Sequence, residues 1–385
     1  MQETTTIEKP ASESTEPGST VDRPSGVWPR YLAWMTAGFT LALLGWLALV
    51  MAQMGVPTFE SNWIAGAWNK KVAYAQSISG PKIVIAGGSS GLFDDRASQI
   101  ERATGMPCVN LALHAGLGID FLLDIDQSML KPGDIVVLGP EYEMYEPLGQ
   151  PSDVLVDYVF SRDPAYLKTL PAAERVDWML ALPPNRLTEG LLNKVRHRHI
   201  VDDETSVYRT SAIDAYGDEI GNLTSLQDPT QRYRVSLILP SETVMQHQPA
   251  ADSLARIDRF IDWCHGHGVT VLMTYSPTID FPEYHTSTAR RFFDTLRGHY
   301  AAEGVPVLGT PYDFLYPSTD FYDTEYHMLS DTTTVNTNKL IGFLRPYLPH
   351  GKGAAPGDAA TSTGIMGNQN DIPNQELLYA GRRSS

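Results

Sequence analysis

Residues 82–93 read KIVIAGGSSGLF: an apolar run that ends in two glycines, two serines and a third glycine. An unbroken apolar run of this length is the pattern of a strand buried on both faces. The glycines allow a sharp exit from the strand, and Leu92 to Thr104 then carries helical spacing. The same unit repeats downstream. PCVNLAL (107–113) reads as a second strand and Ile119 to Leu130 as a second helix, closed by Pro132-Gly133. DIVVLG (134–139) reads as a third strand. Strand–helix–strand–helix–strand predicts an α/β fold, a three-layer α/β/α sandwich around a mainly parallel sheet.

The rhythm is lost over about 145–245, which is rich in Pro, Tyr, Arg and Asp. Only short helical pieces stand out there, such as AAERVDWMLAL and LTEGLLNKVRHRHIV. This stretch is expected to be an insertion that caps the sheet. Alternation resumes with a helix at 250–267, the strand VTVLMTYS (269–276), a helix at 285–303, a short strand near 305–309 and a final helix from about Thr333 to Tyr347.

The ends differ from this core. Residues 1–30 and 350–385 have the composition of disordered tails. Between Tyr31 and Val56 there is no charged residue in 26 positions, and a bilayer core needs only about 20 apolar residues in a helix. A cleaved signal peptide has a shorter apolar region close to the N-terminus, so 31–56 is expected to be an uncleaved anchor, with 57–80 a connector carrying a short helix. Arg30 at the boundary favours a cytoplasmic N-terminus and a large domain on the outer side. The net charge of −16 argues against nucleic acid as a partner, because few phosphates could be neutralised. Cys108 and Cys264 read as buried free thiols.

Reactive groups in parallel sheets collect beyond the carboxyl ends of the strands. Gly87-Gly88-Ser89-Ser90-Gly91 occupies the first such end. It lacks the Lys of a P-loop and the G-x-G-x-x-G of a dinucleotide site. Taken alone it is a structural turn more readily than a nucleophile. The second end is NLALHAGLGID (110–120), with Asn110, Gly116 and Gly118. The third informative stretch is DFYDTEYHMLSDTTTVNTNKL (320–340), where Asp323 and His327 precede the last helix. A serine nucleophile needs an imidazole base, and that base needs an orienting carboxylate.

A Ser after the first strand, Gly and Asn after the second, and Asp with His before the last helix together resemble the SGNH (GDSL-like) hydrolase superfamily. The resemblance covers about 80–145 and 250–347. It implies Ser89 as nucleophile in a G-x-S block, although Gly88-Ser89-Ser90 also fits that block. It further implies His327 as base, Asp323 as the triad acid and an oxyanion hole from the Ser89 and Gly116 N–H groups. Asp323 lies four residues before His327, where the family has three, and Thr324 holds the usual acid position. The family's G-x-N-D block is replaced by Gly139-Pro140-Glu141-Tyr142. Asn110 is a candidate for the missing donor, and Glu141 and Tyr142 are candidates for substrate contact.

Anchored members of this kind resemble the proteins of alginate and cellulose O-acetylation and the D-alanine transfer protein of lipoteichoic acid synthesis. The resemblance implies a single-pass protein of the bacterial inner membrane with its domain in the periplasm. The implied activity is an O-acyltransferase, acetyl by preference, acting on an exported polysaccharide without metal or other cofactor. It also implies a multispanning membrane partner, or an export complex, that passes the acyl group outward. A carbohydrate esterase with the same triad and a silent polysaccharide-binding or assembly subunit are the alternatives. RHRH (196–199) with Asp202 and Asp203 is a weak metal candidate against a basic surface helix.

Overall fold

The computed structural model describes residues 27–147, 149–246 and 248–349. The expected tails therefore lie outside the described residues, apart from 27–30. The chain divides at Pro346, and the sheet and the site belong to the unit that ends there.

Helix α1 spans Val27–Ala52. Its segment Trp28–Ala52 is long and apolar enough to cross a membrane. The helix starts four residues before the apolar boundary at Tyr31 and stops at Ala52 rather than Val56. The connector is a full helix, not a short one: α2 runs Phe59–Ser77. Thr58 starts it with a capping box, in which Thr58 and Ser61 each accept the other's backbone N–H, satisfying donors that a helix start otherwise leaves open.

The alternating core follows as β1 (Ile83–Gly87), α3 (Ser89–Asp94), α4 (Ala97–Thr104), β2 (Cys108–Asn110), α5 (Gly118–Gln127) and β3 (Ile135–Gly139). The single helix expected from Leu92 to Thr104 is broken at Asp95-Arg96. The break has a partner: the Asp218 carboxylate accepts the Ala97 and Ser98 N–H groups at 2.7 and 3.0 Å and starts α4 anew. The middle of the chain holds α6 (Asp153–Arg162), α7 (Ala172–Ala181), α8 (Pro184–Arg196), α9 (Pro229–Val235) and α10 (Glu242–Gln246). The core then resumes with α11 (Ala251–Gly266), β4 (Thr270–Thr274), β5 (Thr278–Ile279), α12 (Ser287–Ala302), β6 (Val307–Leu308), β7 (Leu315–Tyr316) and α13 (Ser330–Leu344).

The main sheet is parallel, in the order β2-β1-β3-β4-β6. β5 and β7 form a separate two-stranded parallel pair that the sequence pattern did not suggest. Every residue of β1 and β3 is buried, which is why those segments read as continuous apolar runs. Lys71 of α2 is also fully buried. Its ammonium donates to the carbonyls of Asn110 and Gly217 at 2.9 and 2.6 Å, tying α2 to β2 and to the middle segment. Burial pushes its pKa down to about 8. Cys108 and Cys264 are both buried and free.

Candidate active site

The chain leaves β1 towards β2 on one side and returns to β3 on the other, so the strand order reverses beside β1. Ligand crevices of open α/β sheets form outside the carboxyl ends at such a reversal. Register sets what meets there. Gly87 pairs with Gly139 at the ends of β1 and β3, so the residues just beyond them emerge as neighbours. Gly87 has φ +136°, and a Cβ there would stand 2.8 Å from the Gly139 carbonyl oxygen. A Cβ on Gly88 would run into both carboxylate oxygens of Glu141. Two glycines are what this close passage demands.

Ser89 opens α3, where an N–H has no helical acceptor. Its hydroxyl donates to Glu141 Oε1 at 3.3 Å, and the Ser90 N–H donates to the same oxygen at 2.8 Å. The Ser90 hydroxyl points elsewhere, donating to Asp94 Oδ2 at 2.9 Å in the buried interior. Ser89, and not Ser90, lines a cavity of about 850 Å³.

His327 lines the same cavity. An antiparallel bridge between Phe321 and Met328 folds the intervening loop back on itself. In that loop Asp323 and His327 meet across four residues, with His327 Nδ1 at 2.7 Å from Asp323 Oδ1. The Tyr208 hydroxyl donates to the second oxygen of Asp323 at 2.6 Å. Burial alone would raise the Asp323 pKa, but His327 and the hydrogen bonds from His327 and Tyr208 hold it below the ordinary carboxylate range. The imidazole stacks on Phe93 of α3 at 4.0 Å between ring centres. Asp94, also on α3, accepts the Met328 N–H at 2.7 Å. The serine helix and the histidine loop are thus packed and bonded to each other. Among the described residues no hydrogen bond joins Ser89 Oγ to His327, although both line the cavity.

The remaining sequence candidates separate. Gly116 lines the cavity, but its N–H already donates to His114 Nδ1 at 2.9 Å. Asn110 does not reach the cavity. Its side chain is fully buried and bridges the Gly91 and Asp95 carbonyls at 2.8 and 3.3 Å, while accepting the Ala112 N–H. It supports the backbone behind the serine turn instead. Tyr142 is a core residue, packed among Tyr284, Phe292, Phe293 and Tyr326. Glu141 is on the cavity wall and almost wholly buried. Burial pushes its carboxyl up to about 7 against the opposing pull of the Ser90 N–H. Its Oε2 is buried without a hydrogen-bond partner.

Two groups escaped the sequence reading. His114 sits within the second turn and lines the cavity. Burial, and then His327, push it down to about 4, so it is neutral. Because Nδ1 accepts the Gly116 N–H, its proton is on Nε2, which faces Glu60 Oε1 at 3.6 Å. Tyr208 comes from the aperiodic segment, where no local pattern marked it.

The RHRH stretch ends α8, with His197 in the left-handed region at φ 47°. Asp202 is taken by Asn62 and by the Thr210 N–H, and Asp203 by Thr205. Among the described residues no group of three or more His, Cys, Asp or Glu is placed to hold a metal ion. No protein family, curated protein or solved structure matches this chain.

Proposed function

We propose that this protein is an SGNH-like acyltransferase that moves an acyl group, acetyl by preference, onto an exported polysaccharide. The observation that carries this reading is the sharing of one cavity by Ser89 and His327, the latter paired with Asp323, at the end of the sheet where α/β sites form. In this reading the domain is a three-layer α/β/α sandwich. Helix α1 crosses the bacterial inner membrane once, and the domain lies in the periplasm. Because the donor pool is cytoplasmic, a multispanning partner delivers the acyl group.

Ser89 Oγ attacks the donor carbonyl while His327 Nε2 takes its proton. Asp323, steadied by Tyr208, holds the opposite ring nitrogen and stabilises the imidazolium. The Ser89 N–H faces the developing oxyanion. Glu141 takes the place of the family's third-block Asn: as a neutral acid it donates an O–H where the amide would have donated an N–H. The Gly116 N–H joins once His114 Nδ1 releases it. Collapse of the tetrahedral intermediate expels the donor group, which takes the proton from His327, and leaves Ser89 acylated. A sugar hydroxyl, deprotonated by His327, then attacks the ester and regenerates the serine. Asp120, Glu143, Glu146, Glu174 and Glu325 line the cavity, and Arg256 is paired with Asp120 at 2.6 Å. That acidic wall favours a neutral or amino-sugar acceptor over a polyuronate.

The hydrogen bond of Ser89 to Glu141 and not to His327 favours one competing reading, a silent polysaccharide-binding subunit. A fluorophosphonate probe on the full-length protein decides between them. The acyltransferase reading expects labelling in the wild type that disappears in Ser89→Ala. A wild-type protein that binds polymer but takes no label is not an acyltransferase of this kind. Acetyl content of the exported polymer in a Ser89→Ala strain separates transfer from deacetylation: it falls for a transferase and rises for an esterase.

A further inference from the structure

Helix α7 has two faces with different surroundings. Glu174 and Trp178, one turn apart, line the cavity. Val176 and Leu180, one turn apart on the opposite side, are 45% and 50% exposed. Helix α8 adds exposed Leu192 and Val195, and basic residues gather at its end: Lys194, Arg196 and Arg198.

Both helices are fastened to the last turns of α1. The Trp46 indole N–H donates to the Met179 carbonyl of α7 at 2.8 Å. Lys194 of α8 donates to the Ala52 carbonyl, and Arg186 donates to the Val56 carbonyl at 3.1 Å. Val50 and Gln53 are completely buried at this junction, while Trp34, Phe39 and Leu41 nearer the start of α1 stand open. Depth follows from helix geometry. With 26 residues in α1 and about 20 needed for the hydrocarbon core, only a few residues are left over. Trp46 lies six residues from the end of α1, about 9 Å along its axis. With Arg30 at one boundary, about 20 residues of hydrocarbon core reach to about residue 50, so anything bonded to Trp46 lies within about one helical turn of the headgroup–acyl boundary. A helix with an apolar outer face and basic neighbours at that level matches the pattern of one lying in the membrane interface.

We propose that α7 and the end of α8 are seated on the bilayer around α1. Val176, Leu180 and Val195 enter the headgroup–acyl boundary, and Arg196 and Arg198 face lipid phosphates. The proposal rests on the reading that α1 crosses a membrane. Its consequence is that the Glu174–Trp178 wall of the cavity stands one helix diameter, about 10 Å, from the lipid. The cavity then receives its substrate at the membrane surface and not from bulk solvent.

The test uses the full-length protein in phosphatidylcholine–phosphatidylglycerol liposomes that carry nitroxide lipids with shallow or deep spin labels. Single fluorophores are placed at Leu41→Cys, Leu180→Cys, Val195→Cys and, as an exposed apolar control away from these helices, Leu239→Cys. The native cysteines are buried. The proposal expects the deep quencher to act most on 41, the shallow quencher to act most on 180 and 195, and neither to act on 239. Quenching at 41 with none at 180 and 195 overturns the seat and leaves the span intact. No quenching at 41 overturns the span and the seat with it. Equal quenching at 180, 195 and 239 shows non-specific adhesion and also overturns the seat.

Discussion

The serine turn and the segment 146–245 face each other across one cavity, and they reach it by opposite routes. The turn is positioned by strand register: Gly87 lies opposite Gly139, so Ser89 and Glu141 emerge side by side. Among its described residues the segment has no strand in the main sheet, and buried polar side chains join its apolar packing in holding it. Asn222 is completely buried. Its amide donates to the Met328 carbonyl at 2.7 Å, and its carbonyl oxygen accepts from Arg96 at 2.9 Å. Through such contacts Tyr208 is delivered to Asp323. Hydrogen-bonded ladders fix a backbone continuously, so the position of Ser89 is closely set. A segment tied at a few points fails at those points. The difference teaches that Ser89 and the His327–Asp323 pair depend on two unlike kinds of support.

The largest expected effect is on the register side. Glu141→Ala should lower acyl transfer by ~10²–10³-fold, the loss typical of one oxyanion donor. Glu141→Gln should keep most of the activity. The sign with pH is specific: Glu141, pushed up to about 7, is a donor below that pH and loses the donated proton above it. Wild-type activity should therefore fall as pH rises through this range, and the fall should vanish in Glu141→Gln. If Glu141→Gln is as impaired as Glu141→Ala at every pH, the carboxylate is acting as a base and the donor role is wrong.

On the other side, Asn222→Ala leaves the Arg96 guanidinium and the Met328 carbonyl short of partners. An uncompensated buried polar group costs about 1–3 kcal/mol, so the urea midpoint should fall by that free energy divided by the slope, with the slope unchanged. A neutral result would mean that the segment is not held through this residue. Tyr208→Phe should be the mildest change. Loss of one hydrogen bond to Asp323, about 1 kcal/mol, predicts a roughly 5-fold lower kcat with KM unchanged. A rise in KM with kcat intact would assign Tyr208 to substrate binding.

Legibility along the chain follows the same division. The strands from 82 to 139 and from 269 to 276 were readable because burial on both faces writes an uninterrupted apolar run. The break at Asp95-Arg96 was not, because Asp218, more than a hundred residues away, supplies the cap. Ser89 and His327 were candidates from the order of the blocks along the chain and the resemblance it carries, which already favoured Ser89 over Ser90; the fold adds that Ser89 lines the cavity while the Ser90 hydroxyl is turned inward to Asp94. Asn110 and Tyr142 were candidates because they follow strand ends. The fold turned one back into the wall behind the turn and the other into the aromatic core, and position after a strand does not specify which way a side chain faces.

The sequence by itself determined the α/β class and the apolar N-terminal helix, since each depends on residue type and near neighbours, and it offered Ser89, His327 and Asp323 as candidates through the resemblance their order carries. Only the tertiary structure decided that Asp323 reaches His327 across four residues, that His114 occupies the Gly116 N–H, that Tyr208 backs the acid and that Glu141 is buried beside Ser89. Those facts arise from contacts between segments far apart in the chain. Burial and register, which set both pKa and partner, exist only once those segments have come together.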